Sequence, residues 1–351
     1  MIFMNISSKI KKANLLGRGG GCFPTALKWN MVDKASGNEK YIICNASEGE
    51  PGVKKDGYIL KHRTEEVIEG IEIARDFLSK GKEKIKVKVY IYINPDYYQT
   101  LGPELLECIG KRDIELFVKP HGAGYIGGEE TSILNSIEGR RIEPRLRPPY
   151  PTTNGLWGCP TLINNVETLL NVSLVNSDKY REERYYTVSG KAQNKGVFYF
   201  PDDWTIEKVL KETKNYPSFD FFVQIGGDGS GVVLNKKQLK IPVSGAGTIK
   251  IYKLQGHKAK KIIKSWLDFF LGESCGQCTP CREGVYRLSQ VIKEDPIDWD
   301  LFKEILENLE EASFCGLGCA VPIPLKSYLK NVAKLPGVDI QNQKLVCKCF
   351  K

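Results

Sequence analysis

No apolar run in these 351 residues approaches the roughly eighteen that a membrane-spanning helix needs, so the sequence predicts no direct membrane insertion. The opening Met1-Ile2-Phe3-Met4-Asn5 leads into Lys9, Lys11 and Lys12 without the apolar core of a secretory signal, and a cytoplasmic protein is expected. No internal repeat is present. Eleven cysteines, an odd number in a chain much longer than a small secreted domain, argue against a disulfide framework. Nor is there a strong excess of one charge: 51 basic against 42 acidic residues leave +9. Lys82, Lys84, Lys86 and Lys88 alternate with Ile85, Val87 and Val89, which reads as the wet face of a strand and predicts no nucleic-acid partner.

What is present is most specific near the C-terminus. Ser274-Cys275-Gly276-Gln277-Cys278-Thr279-Pro280-Cys281-Arg282 has C-x2-C-x2-C spacing, and Cys315 follows downstream. Three clustered thiolates and one remote one are how a chain folds around a [4Fe–4S] cluster. Zinc is the rival, but zinc ribbons pair two C-x2-C knuckles, and around Cys315 the spacing to Cys319 is C-x3-C. The spacing favours iron–sulfur, and with it electron transfer.

The chain is long enough for two or three domains, and pattern separates three regions. Up to about residue 180, strand-like runs (Tyr41–Asn45, Val87–Ile93, Glu115–Val118) alternate with helical ones (Glu65–Leu78, Leu101–Ile109), as in an α/β sheet. Gly139–Pro160 reads as a long ordered loop, a feature uncommon unless functional. From Tyr185 to Lys253, short strands (Tyr185–Gly190, Gly196–Phe200, Thr248–Tyr252) and one helix (Thr205–Glu212) suggest a small β-grasp module. From Lys260 onward three amphipathic helices are predicted, with three cluster cysteines between the first two and Cys315 after the third.

Four upstream segments could carry chemistry. Gly17-Arg18-Gly19-Gly20-Gly21-Cys22-Phe23-Pro24-Thr25 lets backbone approach a phosphate, with the following helix and Lys28 to meet its charge; it is not a full dinucleotide fingerprint, and a plain flexible turn reads equally well. Asn45-Ala46-Ser47-Glu48-Gly49-Glu50 follows a strand, where α/β sheets meet ligands, although a solvated acidic turn has the same look. Gly122–Ser132 puts Glu129 and Glu130 at a helix start, either to complement its dipole or to accept hydrogen bonds from a ligand. Gly158–Thr168 offers Asn164 and Asn165, suited to a flavin ring edge or to a helix cap.

Taken in order, the motifs GRGG-x-x-FPT-x-LKW, CNA-x-E-x-EPG, GAGYI-x-GEET, GLWG-x-PT-x-INNVET, ESCG-x-C-x-PCREG and C-x-LG resemble the flavin- and NADH-binding 51 kDa subunit of respiratory complex I. The same subunit recurs in NAD-linked hydrogenases and formate dehydrogenases. The resemblance runs from Gly17 to about Leu325. It implies an α/β multi-domain fold: a Rossmann-like FMN- and NADH-binding domain over 1–181, a β-grasp (SLBB-like) domain over 182–257 and a helical [4Fe–4S]-binding domain over 258–351.

It also implies an NADH dehydrogenase in which hydride passes from NADH to FMN, and electrons then pass singly to the cluster. No side chain need act as general acid or base, because orientation and stacking suffice. Gly17, Arg18, Gly19, Gly20, Lys28, Asn45, Ser47, Glu129, Asn164 and Asn165 would hold FMN. Phe23, Glu50, Tyr125, Glu130, Arg147 and Tyr150 would line the NADH side, and Cys275, Cys278, Cys281 and Cys315 would hold the cluster. The implied partners are a thioredoxin-like [2Fe–2S] subunit and further iron–sulfur subunits, with attachment to the cytoplasmic face of a membrane only through such a complex. Ser47 stands where the family usually has an acid, and Cys319 and the Cys347-x-Cys349 pair are additions to its pattern. The alternative is an electron-transfer or assembly subunit that keeps the cluster without oxidising NADH.

Overall fold

In the computed structural model, which describes residues 6–79, 85–336, 338–340 and 350, the first predicted strand runs over Glu39–Ala46 (β1). Lys82, Lys84, Cys347 and Cys349 lie outside the described residues. Two units are distinguished, Met1–Gly49 with Lys54–Arg181, and Glu50–Val53 with Glu182–Lys351.

The first unit contains, in order, α1 (Ile6–Lys12), α2 (Thr25–Lys34), β1, α3 (Lys55–His62), α4 (Thr64–Ser79), β2 (Lys86–Ile93) and α5 (Pro95–Ile109). There follow β3 (Ile114–Val118), α6 (Glu130–Ile137), α7 (Pro151–Asn154), β4 (Thr161–Asn165) and α8 (Val166–Asn176). All four strands are parallel, in the order β3-β2-β1-β4. A parallel strand covered on both faces must be apolar on both, and Tyr41, Ile42, Ile43 and Cys44 of β1 are all buried. α4 turns Val67, Ile71, Ala74 and Leu78 inward, as its 3.6-residue period predicts. Gly70 permits its close approach to α8, since a Cβ there would strike the Leu169 carbonyl. α5 starts earlier than its apolar pattern indicates, because Asn94 caps it by accepting from the Asp96 amide and Pro95 occupies the first turn.

The strand order reverses direction beside β1. The chain moves outward from β1 to β2 and β3, then returns to the other side of β1 as β4. That reversal is a topological switch point, and in open α/β sheets ligands bind in the crevice outside the carboxyl ends of the two strands flanking it. Here those ends carry Cys44 opposite Asn164 and Asn45 opposite Asn165.

In the second unit, β5 (Glu183–Gly190), β6 (Gly196–Pro201), β7 (Phe221–Ile225), β8 (Val232–Asn235) and β9 (Thr248–Lys253) form a mixed sheet in the order β6-β5-β9-β7-β8. The helix α9 (Ile206–Glu212) packs Ile206, Val209 and Leu210 into its core with Tyr186, Phe221, Val223 and Ile249. Strands β5, β6 and β9 and this helix match expectation; β7 and β8 add two strands that the sequence pattern does not mark.

The same unit contains α10 (Ala259–Glu273), α11 (Thr279–Val291), α12 (Trp299–Ala312), α13 (Gly316–Ala320) and α14 (Pro322–Asn331). α14 lies against β8, where the Val233 amide donates to Ser327 Oγ at 2.9 Å. One expectation needs correcting. The three clustered cysteines do not all precede the second bundle helix: Cys278 is the N-cap of α11 and Cys281 lies in its first turn. Thr279 and Pro280 are favourable at a helix start, so the helix begins inside the motif.

Candidate functional site

The crest of the first sheet is built by loops that exchange backbone hydrogen bonds with the switch-point asparagines. Asn45 Nδ2 donates to the Gly128 carbonyl at 3.0 Å, while its Oδ1 accepts from the Ser47 amide and Ser47 Oγ. The glycine loop closes on itself, with the Gly17 amide donating to the Phe23 carbonyl at 2.9 Å. It is tied to α8 by the Arg18 amide, which donates to Thr168 Oγ1 at 2.9 Å. Gly19 lies so close that a Cβ would sit 3.3 Å from Asn165 Cβ. Gly20 has φ +105°, a region that favours glycine, and added Cβ atoms at Gly20 and Gly21 would meet nothing within 4 Å. The loop therefore presents bare backbone to open space.

The two asparagines of β4 have different duties. Asn165 accepts on Oδ1 from Lys55 Nζ at 2.9 Å and from the Glu167 amide at 3.1 Å. Its Nδ2 donates to Asp56 Oδ2 at 2.6 Å and to the Asn45 carbonyl at 3.3 Å. Two donors and two acceptor positions are all that an amide side chain has, so that of Asn165 is fully used as a cap and a strut. Asn164 spends Oδ1 on Trp29 Nε1 at 2.9 Å, and its Nδ2 has no partner among the described residues.

The predicted acids are paired with cations. Glu129 caps α6, accepting from the Thr131 and Ser132 amides at 2.9 Å each, and forms an ion pair with Arg147. Glu130 pairs with Lys28, whose Nζ also donates to the Ile163 carbonyl at 3.1 Å. Tyr125 lies against Gly49, where a Cβ would come 2.9 Å from Tyr125 Cα. Phe23 and Tyr150 leave 43% and 51% of their surface exposed, as aromatic faces meant for a stacking ligand would. Glu50 is held within the second unit, accepting from the Gly229 and Ser230 amides at 2.8 and 3.0 Å and from Ser230 Oγ at 2.7 Å.

Sequence reasoning missed a buried charged cluster beneath this crest. Lys55 meets Asp56 at 2.6 Å and Glu167 at 3.2 Å, all three nearly free of solvent contact. Glu48 accepts from the Asp56 and Gly57 amides and from the Tyr97 hydroxyl. Burial alone would pull Lys55 down, but Asp56, Glu167 and Glu48 outweigh it and hold the ammonium well above its usual value. One cation cannot neutralise three carboxylates. Burial, reinforced by Asp56, pushes Glu48 up to about 7, so it is the acid that carries a proton at mildly acid pH. The only sequence trace is the Lys55-Asp56 dipeptide beside the acidic turn, which reads as an ordinary polar surface.

These features suit the flavin mononucleotide that the resemblance implies. Bare glycine backbone and a nearby ammonium are a phosphate's complement, and Thr25 Oγ1, buried in the first turn of α2, has no hydrogen-bond partner among the described residues. The uncommitted Asn164 Nδ2 is a donor of the kind a flavin carbonyl needs.

In the second unit Cys275 and Cys278 precede α11, Cys281 lies in its first turn and Cys315 stands just before α13. Cys281 is buried, with Ser274 Oγ 3.4 Å from its Sγ, and Arg282 Nη1 closes the motif turn on the Gly276 carbonyl at 2.8 Å. Cys315 stands at the N-cap position of α13, where its side chain makes no capping hydrogen bond, and burial raises its thiol to about 11 although the Leu317 and Gly318 amides lower it. Cys275 and Cys281 also raise the Cys315 thiol, and burial, with smaller contributions from Cys278 and Cys275, raises that of Cys281. A partly buried thiol at a helix start suits a ligating thiolate. Ser313 Oγ, also buried, has no partner among the described residues and offers a further donor. No three His, Cys, Asp or Glu among those residues could share a single metal ion.

Comparison with known proteins finds two matching family regions. The Nuo51 FMN-binding domain matches residues 10–174, and the NADH-ubiquinone oxidoreductase-F iron-sulfur binding region matches residues 261–334. The F subunit of NADH-quinone oxidoreductase in Aquifex aeolicus is 33% identical over 376 aligned positions, covering 93% of this chain and 86% of that protein. Its counterpart in Streptomyces coelicolor is 32% identical, with 92% and 80% covered. Among solved structures, an NAD+-reducing [NiFe]-hydrogenase in the H2-reduced state superposes with a TM-score of 0.84 at 27% identity. That match takes in 99% of this chain but spans 62% of the hydrogenase chain.

Proposed function

The chain belongs to the family of NADH-quinone oxidoreductase F subunits, and from that premise we propose that it is the electron-input component of a larger redox assembly, an NADH dehydrogenase carrying FMN and one [4Fe–4S] cluster. When bound, FMN supplies the acceptor for hydride from NADH, and the cluster carries the electrons onward one at a time.

The chain's own residues bind and orient. The backbone of Gly17, Arg18, Gly19 and Gly20 cradles the phosphate end of FMN, with Lys28 as its counter-charge. Asn164 donates to the flavin edge, while Asn45, Ser47, Glu129 and Asn165 shape the crevice that holds it. Phe23 and Tyr150 provide exposed rings against which a nicotinamide dinucleotide can stack, and Tyr125, Glu130 and Arg147 supply its polar contacts. Cys275, Cys278, Cys281 and Cys315 ligate the cluster. This reading divides the chain into a flavin domain over 1–181, a β-grasp domain over 182–257 and a cluster domain over 258–351.

The two bacterial relatives are subunits by name, and a thioredoxin-like [2Fe–2S] protein with further iron–sulfur subunits is the proposed route for the electrons. No helix among the described residues is long and apolar enough to cross a membrane, so the proposed attachment is peripheral, on the cytoplasmic face, through those partners. The observation that carries the reading is the uncommitted Asn164 amide at the sheet's switch point, beside a glycine loop that presents bare backbone. NADH-dependent reduction of ferricyanide by the purified chain tests it. An assembly protein without dinucleotide chemistry would show cluster signals and no turnover.

A further inference from the structure

Lys119 is buried at the crest of the first sheet, and the reading above gives it no part. It follows β3 directly, where its amide donates to the Ile93 carbonyl at the end of β2 at 2.8 Å. Only 6% of the residue is exposed. Lysine is almost never buried to that degree without partners, because a donor taken out of water unmatched is costly. Its Nζ donates to the Ser47 carbonyl at 3.3 Å and to the Gly124 carbonyl at 3.2 Å.

Those two acceptors belong to different loops. Ser47 lies in the turn after β1, and Gly124 in the glycine loop that leads to Glu129 and α6. The loops meet through glycines. A Cβ on Gly49 would sit 2.9 Å from Tyr125 Cα, and one on Gly128 would sit 2.6 Å from Ser47 Oγ. The stem of Lys119 runs along the same seam, with its Cδ 3.4 Å from a Cβ built on Gly127. Asn45 Nδ2 joins the turn to the Gly128 carbonyl, and Asn94 Nδ2 reaches the Ser47 carbonyl at 3.1 Å.

The turn carries Asn45 and Ser47 on the flavin side, and the glycine loop carries Tyr125 on the dinucleotide side. We infer that Lys119 is a positioning residue for hydride transfer, stapling the flavin-side turn to the dinucleotide-side loop so that donor and acceptor stay in register. The inference rests on the flavin and NADH reading above. Lys119 touches neither cofactor in this account and acts through two backbone carbonyls. Small misplacements of bound reactants are costly in rate even when binding is kept.

The test compares the full chain with its Lys119→Met variant, which keeps an apolar stem and removes the donors. In the flavin-free chain, hydrogen–deuterium exchange reads the two loops directly. Residues 47–49 and 122–128 are expected to exchange roughly tenfold faster in the variant, while β1 and α8 keep their protection. In the FMN-loaded chain, stopped-flow absorbance follows bleaching by NADH per bound flavin. The rate constant at saturating NADH is expected to fall roughly tenfold, with little change in the NADH concentration that gives half the maximal rate. A residue that only stabilises the fold would lower flavin content and leave the rate per bound flavin at the wild-type value. That result would overturn the inference, as would unchanged exchange in both loops. Should Lys119→Met hold no flavin, Lys119→Gln, with an amide donor on a shorter stem, is measured in the same way. Absence of flavin from both variants would make Lys119 a scaffold residue and overturn the inference too. Wild-type chain that binds no FMN, or whose flavin NADH leaves oxidised, would instead sink the reading on which the inference rests.

Discussion

Asn45 and Asn165 stand opposite each other in register at the carboxyl ends of β1 and β4, and the side-chain amide of Asn165 donates to the backbone carbonyl of Asn45 at 3.3 Å. The bond ties together the two strands that flank the switch point. It also separates the duties of adjacent residues, with Asn165 locked into the protein below and Asn164 left to face a ligand.

Substitution should separate those duties. Asn165→Ala removes a helix cap and strips a partner from both Lys55 and Asp56, so a loss of about 2–4 kcal/mol is expected in urea unfolding of the flavin-free protein. Asn164→Ala leaves Trp29 Nε1 unpaired and should cost only about 1 kcal/mol. It should weaken FMN binding, followed by flavin fluorescence, far more than its effect on stability implies.

The buried acid gives a pH dependence. An unfolded glutamate titrates near 4.5, and burial raises Glu48 to about 7. Between those values the folded chain keeps a proton that the unfolded chain has lost, so stability falls as pH rises through this window and levels off above it. Glu48→Gln cannot lose that proton. Relative to the wild type it should gain about 2 kcal/mol between pH 5 and pH 8 in denaturant titrations. A constant difference across that range would mean that Glu48 is ionised throughout.

Lys28 is assigned to the phosphate of FMN, a role riboflavin cannot call upon. Lys28→Gln should weaken FMN binding roughly tenfold and leave riboflavin binding nearly unchanged. Equal losses for both flavins would assign Lys28 to the Glu130 pair alone.

Gly318 touches the cluster site without supplying a ligand. A methyl group there would collide with Ser313 and crowd Cys281 Cβ at 3.3 Å, so Gly318→Ala should lower iron content while bound flavin stays at the wild-type level. Unaltered iron would show that α13 can move away from Cys281 at little cost.

Much of this architecture is legible in the sequence because its signals are local. The apolar run Tyr41–Cys44 is a buried strand, C-x2-C-x2-C is a ligand spacing, and Val67, Ile71, Ala74 and Leu78 mark one helix face. Misses came where the deciding partner is distant in the chain. Lys55, Asp56 and Glu167 look like surface charges until α3 and α8 bury them together. Glu50 belongs with Gly229 and Ser230, far along the chain, although it continues the acidic turn of β1. β8, only four residues long after a glycine-rich turn, carries too little alternation to be read as a strand. Cys281 falls inside α11 because a Thr-Pro start outweighs the expectation of an irregular ligand loop.

The central claim is that this chain takes electrons from NADH through a flavin to an iron–sulfur cluster. The most direct measurement mixes anaerobic, cofactor-replete protein with NADH and follows flavin absorbance together with the EPR signal of the cluster. The account predicts that NADH bleaches the flavin band and that the signal of the reduced cluster then grows. A chain that holds zinc without flavin, or whose cluster responds to dithionite while NADH leaves the flavin band untouched, would contradict it.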